Sequence, residues 1–134
     1  MDISAFDPVG AAQDGAWMEL RNPFTGDFIK GTRLKVMGYD ADAVVAVERD
    51  NARSIIERLR NDGGDPLKDR EDLAINRAIA AVVDWENFGW GNDSEKFSKE
   101  LLSKVLRGKG QWIVTQVEEF GTKRANFMPA SLKS

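Results

Sequence analysis

The chain moves between two textures. From Ala16 to Gly38 polar and apolar residues alternate in the manner of strands. Trp17-Met18-Glu19-Leu20-Arg21 runs into Asn22-Pro23-Phe24-Thr25-Gly26-Asp27, whose early proline and late glycine have the layout of a tight reversal. Phe28 to Met37 returns as a second strand, with Leu34-Lys35-Val36 in alternation and Gly31 marking a bulge or bend. The spacing predicts one β-hairpin. A lone hairpin is marginal in water, so this one must lie on something.

Beyond Gly38 the period becomes helical. Tyr39-Asp40-Ala41-Asp42 supplies an N-cap, with acids suited to the positive end of a helix dipole. Val45, Ala52, Ile55, Ile56 and Leu59 then recur on one face, the expected core face, with Glu48, Arg49, Arg53, Glu57 and Arg58 mostly around the other. Asp62-Gly63-Gly64-Asp65-Pro66 stops that helix near Asn61. A second helix is predicted from Arg70 to Trp85 on the stripe Ile75, Ala78, Ile79, Val82 and Val83. After the loop Phe88-Gly89-Trp90-Gly91-Asn92-Asp93, a third, capped by Asp93 or Ser94, carries Phe97, Leu101, Leu102, Val105 and Leu106. Gly108 and Gly110 break it, and a fourth holds Trp112, Ile113, Val117 and Phe120 until Gly121. Residues 1–15 show no period and are expected to be a flexible arm, and residues 128–134 a flexible tail. The expected fold class is α+β: an N-terminal β-hairpin packed on a bundle of about four α-helices, in one domain over residues 16–127.

Composition narrows the chemistry. The chain has 134 residues, the size of one domain, with 42% hydrophobic and 31% charged residues, as in folded proteins. It has neither cysteine nor histidine. That removes disulfides, thiolate and imidazole metal ligands, cysteine nucleophiles and serine–histidine triads together. No apolar run approaches the ~20 residues that span a bilayer, and Met1-Asp2-Ile3-Ser4 does not open like a secretory signal, so an intracellular non-enzyme without membrane contact is expected. The net charge of −3 divides into −8 over residues 1–95 and +5 over residues 96–134. Such a split either attracts an acidic partner or docks one half of the domain on the other.

The remaining motifs are weak as chemistry. Asp62-Gly63-Gly64-Asp65 with Asp69, Glu71 and Asp72 is rich in oxygen ligands but lacks the order of a calcium loop, so no metal is expected. Gly89-Trp90-Gly91 and Gly108-Lys109-Gly110 belong to no phosphate-cradling string, and no cofactor is expected. Asp84 and Glu86, two apart on a predicted helix, do not converge on one substrate. Lys96, Lys99, Lys104, Arg107 and Lys109 form a basic helix, yet no groove-reading motif accompanies them and the pI is near 5.1, so no nucleic acid is expected. Of Trp17, Trp85, Trp90 and Trp112, the second and fourth sit where helix packing uses them. Trp90 lies between two glycines, where core burial and partner contact account for it equally.

The order of these features resembles a family. A short arm, a strand, Asn22-Pro23-Phe24-Thr25-Gly26, a second strand ending at Gly38 and an acidic-capped helix are similar to the opening of a group of bacteriophage tail assembly chaperones. These are the small proteins that precede the tape measure protein in long-tailed siphophages. Ala80-Ala81-Val82-Val83-Asp84-Trp85-Glu86 resembles the family's apolar helix ending in tryptophan. Phe97-Ser98-Lys99-Glu100 with Leu101-Leu102, then Trp112-Ile113, Gln116-Val117 and Phe127, is similar to its closing pattern. The resemblance covers residues 16–128 and rests on the shared order of short motifs.

It implies a protein without catalytic residues or cofactor. Such a protein binds the tape measure protein in the host bacterial cytoplasm, keeps it soluble for tail tube polymerisation, and is absent from the mature virion. It further implies a frameshift-extended form that recruits the tail tube protein. The residues expected to make client or self-contacts are Phe88, Trp90, Trp112 and Phe127, with Lys99, Lys104 and Arg107 steering. Weak homo-oligomerisation through the hairpin edge is expected as well. The alternative reading is a structural tail or head–tail joining protein of the virion.

Overall fold

The hairpin forms where the alternation puts it. In this computed structural model, which describes residues 1–61, 63–89 and 94–132, β1 (Ala16–Arg21) and β2 (Phe28–Val36) pair antiparallel. Met18 faces Leu34 and Glu19 faces Arg33; the register then slips beside the stretch holding Gly31. Gly31 has a φ of 82°, in the left-handed region that a missing Cβ opens, so the expected bend is present. Asn22 shapes the reversal, its Oδ1 accepting from the Phe24 and Thr25 N–H groups.

The helical half departs from expectation at one junction. α2 (Asp42–Asn61) matches its predicted limits, but the next helix, α3, spans Pro66–Ala81. Asp65 caps it, accepting from the Leu67 and Lys68 N–H groups, with Pro66 in the first turn. At Val82 the chain becomes extended, and β3 (Val82–Glu86) pairs antiparallel with the far side of β2. Trp85 is therefore a strand residue facing Leu34, not the end of a helix. The expected N-terminal hairpin on a bundle of about four helices is corrected to a mixed α/β arrangement. A three-stranded antiparallel sheet, ordered β1-β2-β3, lies among five α-helices within the described residues. Val82 and Val83 satisfy a helical stripe and a pleated strand equally well; the open edge of β2 decides between them.

Every carbonyl at the end of α3 has a partner. Val82 N–H donates to Ala78, and Met37 N–H donates to Ala81 at 2.8 Å. The Lys99 ammonium reaches the carbonyls of Ile79, Ala80 and Val82, the last at 2.7 Å. Lys99 opens α4 (Lys99–Arg107), which starts at a Ser98 cap rather than at the expected Ser94; Asp93 lies outside the described residues. Burial lowers the Lys99 pKa from its ordinary value, while three acceptor oxygens hold the charged form in place.

The inner face of the sheet is the core. Met18, Leu34 and Trp85 form one buried row across the three strands, joined by Leu20, Val36 and Val82. Ile75, Ala78 and Ala81 of α3, Leu102 and Leu106 of α4, and Ile113, Val114 and Val117 of α5 (Gln111–Thr122) complete it. Trp85 also organises the chain beyond β3. Its ring lies 4.7 Å from that of Phe88 and 5.0 Å from that of Phe97, and its indole N–H donates to the Glu95 carbonyl at 2.6 Å. On the outer face Arg33 forms a two-pronged pair with Glu86, at 2.7 and 3.0 Å, and lies 4.3 Å over the Trp17 ring.

The arm expected over residues 1–15 is helical over half its length. α1 (Pro8–Asp14) starts at an Asp7 cap and buries Ala12 against Gly38, whose N–H donates to the Ala12 carbonyl at 3.0 Å. A Cβ at Gly38 would collide with Ala12. The far end of the chain docks beside it. A turn over Arg124–Phe127 buries Phe127 edge-on to Phe120 at 5.5 Å, and Arg124 pairs with Asp40 at 2.6 Å. The segment expected to be a flexible tail holds a further turn at Ala130–Leu132. Among the described residues, no helix is long and apolar enough to cross a membrane.

Two measurements check this account. Lys99→Met should cost about 1.5–3 kcal/mol in urea unfolding, because it strands carbonyls at the junction, whereas Lys104→Met should stay within about 0.5 kcal/mol of the parent. The Arg33 hydrogen bonds hold the Glu86 carboxyl below its ordinary value of 4.5. The stabilisation this pair contributes is therefore complete above that value and lost as pH falls through the lowered one. In a carboxyl-detected NMR titration Arg33→Gln should return Glu86 to the ordinary value.

Candidate interaction surface

The residues that the sequence marks for partner contact are mostly occupied in the fold. Phe88 is half-buried against Trp85. Trp112, also half-buried, packs on the core from the first turn of α5, and Phe127 is buried. Lys99 is engaged at the end of α3. Arg107 donates to Asn76 Oδ1 of α3 at 2.6 Å and to Ser103 Oγ at 3.2 Å. Lys104 is exposed, and Trp90 lies outside the described residues. The described ones among these side chains do not assemble into one displayed surface. The hairpin edge is also partly closed: the Gln116 amide accepts from the Arg21 N–H and donates to the Arg21 carbonyl, at 2.8 and 2.9 Å.

A different surface stands open. α2 is 20 residues long, about 30 Å, and buries Val44 alone. It packs chiefly along α3, held at one end by the Glu48–Arg77 pair at 3.1 Å. Of the stripe expected to be its core face, Val45 and Ile55 are half-buried, while Ala52, Ile56 and Leu59 are exposed. Ile56 keeps 52% of its surface in water, Leu59 59%, and Leu67 at the start of α3 67%. α3 buries Ile75, Ala78 and Ala81 in its second half, but in its first half buries only Asp69. The free ends of α2 and α3 thus form a helical hairpin that contributes little to the sheet core.

A groove of about 300 Å³ runs between these ends, lined by Asn51, Ile55, Leu59, Pro66, Arg70 and Leu73 among others. Asp69 lies buried at its wall and pairs with Arg58, the two carried on facing helices. This explains a carboxylate inside an otherwise apolar contact: a buried charge persists only when paired. Asp65 is occupied as the α3 cap. Of the acids that read as oxygen ligands in the sequence, Asp65 and Asp69 therefore brace the hairpin and Asp62 lies outside the described residues; no cluster able to hold a metal occurs among the described residues.

The sequence does carry a signal for this surface. The apolar arc of α2 is wider than one neighbouring helix can cover, running from Val44 and Ile55 on the α3 side to Ala52, Ile56 and Leu59 beside it. Periodicity reports amphipathicity and does not say which partner covers the face. No family model matches the chain, and no curated protein or solved structure matches it either.

If this stripe lies outside the core, polar residues are tolerated there. Ile56→Ser and Leu59→Ser should each shift unfolding free energy by no more than about 0.5–1 kcal/mol, against about 2–5 kcal/mol for Leu34→Ala in the central strand. A loss at Ile56 or Leu59 as large as that at Leu34 would place the stripe inside the cooperative core.

Proposed function

We propose that this protein is an assembly chaperone of a long-tailed bacteriophage. It binds the tape measure protein in the host cytoplasm and keeps it soluble until the tail tube polymerises around it. It then leaves, so that it is absent from the mature virion; a frameshift-extended form recruits the tail tube protein. Two things support the reading: the order of motifs over residues 16–128, and the apolar stripe Ala52–Ile56–Leu59 on the outer part of the α2–α3 hairpin. The stripe is the single observation that carries it.

An elongated, largely helical client presents amphipathic helices that aggregate when uncovered. A pair of helices with an unfilled apolar groove receives one such helix as a third member, the helix-in-groove mode of recognition. The energetics suit a temporary partner. Covering the exposed parts of Ile56 and Leu59 gains roughly 1–1.5 kcal/mol each, and association costs several kcal/mol in lost freedom. Single contacts of this kind are weak and reversible. Many copies along one long client then hold it without locking it.

Co-expression with the large helical protein encoded beside it tests the proposal. That protein should stay soluble and be retained with the chaperone in a pull-down, and Ile56→Ser/Leu59→Ser should release it. Insoluble, unbound client in the presence of the parent chain overturns the reading, as does stoichiometric recovery of this chain from purified virions by mass spectrometry.

A further inference from the structure

The chemistry around the hairpin groove selects the kind of helix it takes. We infer that the groove between the free ends of α2 and α3 binds an acidic amphipathic helix, whose apolar side chains enter beside Ile55, Leu59 and Leu73 while its carboxylates meet a rim of arginines. The inference deepens the client-binding reading above and rests on it for the use of this surface.

The rim follows from helical spacing. On α2 the stripe Ala52, Ile56 and Leu59 is bordered, on the side away from α3, by Arg49, Arg53 and Arg60, all exposed. From α3, Arg70 lines the opposite wall. The described acids of this segment are spent or turned away, Glu71 and Asp72 falling on the faces of α3 turned from Pro66, Arg70 and Leu73, while Asp62 lies outside the described residues. Asp69 is paired with Arg58, Glu48 with Arg77, and Asp65 caps α3. Asp50 and Glu57 fall on the back of α2, beyond the arginines. An apolar strip flanked by cations on both sides is therefore left in a chain whose net charge is −3.

Charge also separates the candidate occupants. A second copy docking its own α2 antiparallel across the stripe would bring one row of arginines against another, which costs rather than gains. A basic helix meets the same repulsion. A helix with Asp and Glu on both flanks of its apolar stripe meets neither, and its carboxylates pair with guanidinium groups that offer two-pronged donors. From Arg49 to Arg60 the rim runs about 17 Å, so the complementary segment is three to four turns long, with anchors at i, i+3 or i+4, and i+7.

Fluorescence anisotropy with the full-length protein and synthetic peptides of about 15 residues tests this. One peptide carries Leu at the anchor positions and Glu on both flanks; a second keeps the Leu residues and replaces every Glu by Lys. The Glu peptide should bind, more weakly as salt rises, and the Lys peptide should bind at least about tenfold more weakly. Arg49→Glu/Arg53→Glu should invert that preference while the circular dichroism spectrum and melting temperature stay at parent values, and Leu59→Ser should weaken both peptides. Equal binding of the two peptides, no binding of either, or a preference unmoved by the charge reversal overturns the inference. The two proposals fail separately. Client capture that survives Arg49→Glu/Arg53→Glu sinks the acidic-helix inference alone. Binding of the Glu peptide without capture of the tape measure protein sinks the chaperone reading and leaves the groove's selectivity standing.

Discussion

Where α3 ends and β3 begins, the chain passes from helix to strand without a loop. Such a switch leaves the last carbonyls of a helix without partners in their own helix, and each one buried unpaired costs about 1–3 kcal/mol. Here Met37 N–H takes Ala81, and one ammonium takes Ile79, Ala80 and Val82. The junction places Trp85 opposite Leu34 and so builds the third strand. That strand supplies the last member of the Met18–Leu34–Trp85 row, over which α3, α4 and α5 close. Lys99 is the first residue of α4, directly after its Ser98 cap, so the residue that satisfies one helix also ties the start of the next to it.

Around this junction the molecule divides into a body and a projection. The body is the sheet, the second half of α3, α4 and α5, with α1 and the turn Arg124–Phe127 gathered near Gly38 and Phe120. The projection is the outer part of the α2–α3 hairpin, braced by Arg58 and Asp69 rather than by an apolar core. Division of this kind lets a surface carry exposed isoleucine and leucine without weakening the fold that presents it. The basic C-terminal third has a correspondingly inward role. Arg124 clasps Asp40, Arg107 holds Asn76 and Lys99 holds the junction, so these three cations dock one half of the chain on the other.

Local chemistry was legible in the sequence. The Asn22-Pro23 reversal, the bend at Gly31, the acidic start and glycine-marked end of α2, and the breaks at Gly108 and Gly110 each follow from backbone preferences that act within a few residues. The place in the fold of the residues expected to make contacts was not legible. Phe88, Trp112 and Phe127 are large and apolar, and size alone does not distinguish an anchor for a partner from an anchor for the core. Lys99 and Arg107 read as a solvated basic face because their acceptors, the ends of α3 and Asn76, are 17 to 31 positions away in the chain.

By itself, then, the amino-acid sequence determined where the chain turns, which segments are amphipathic, and that no cysteine or histidine chemistry is available. These are properties of composition and of period, which need no neighbour. Tertiary structure alone decided that Val82–Glu86 is a strand, because the free edge of β2 outweighed a helical pattern that the same residues also satisfy. It decided too that the apolar stripe of α2 stays at the surface. One helix, α3, covers only part of that wide arc, and what lies beyond its reach remains open for another chain.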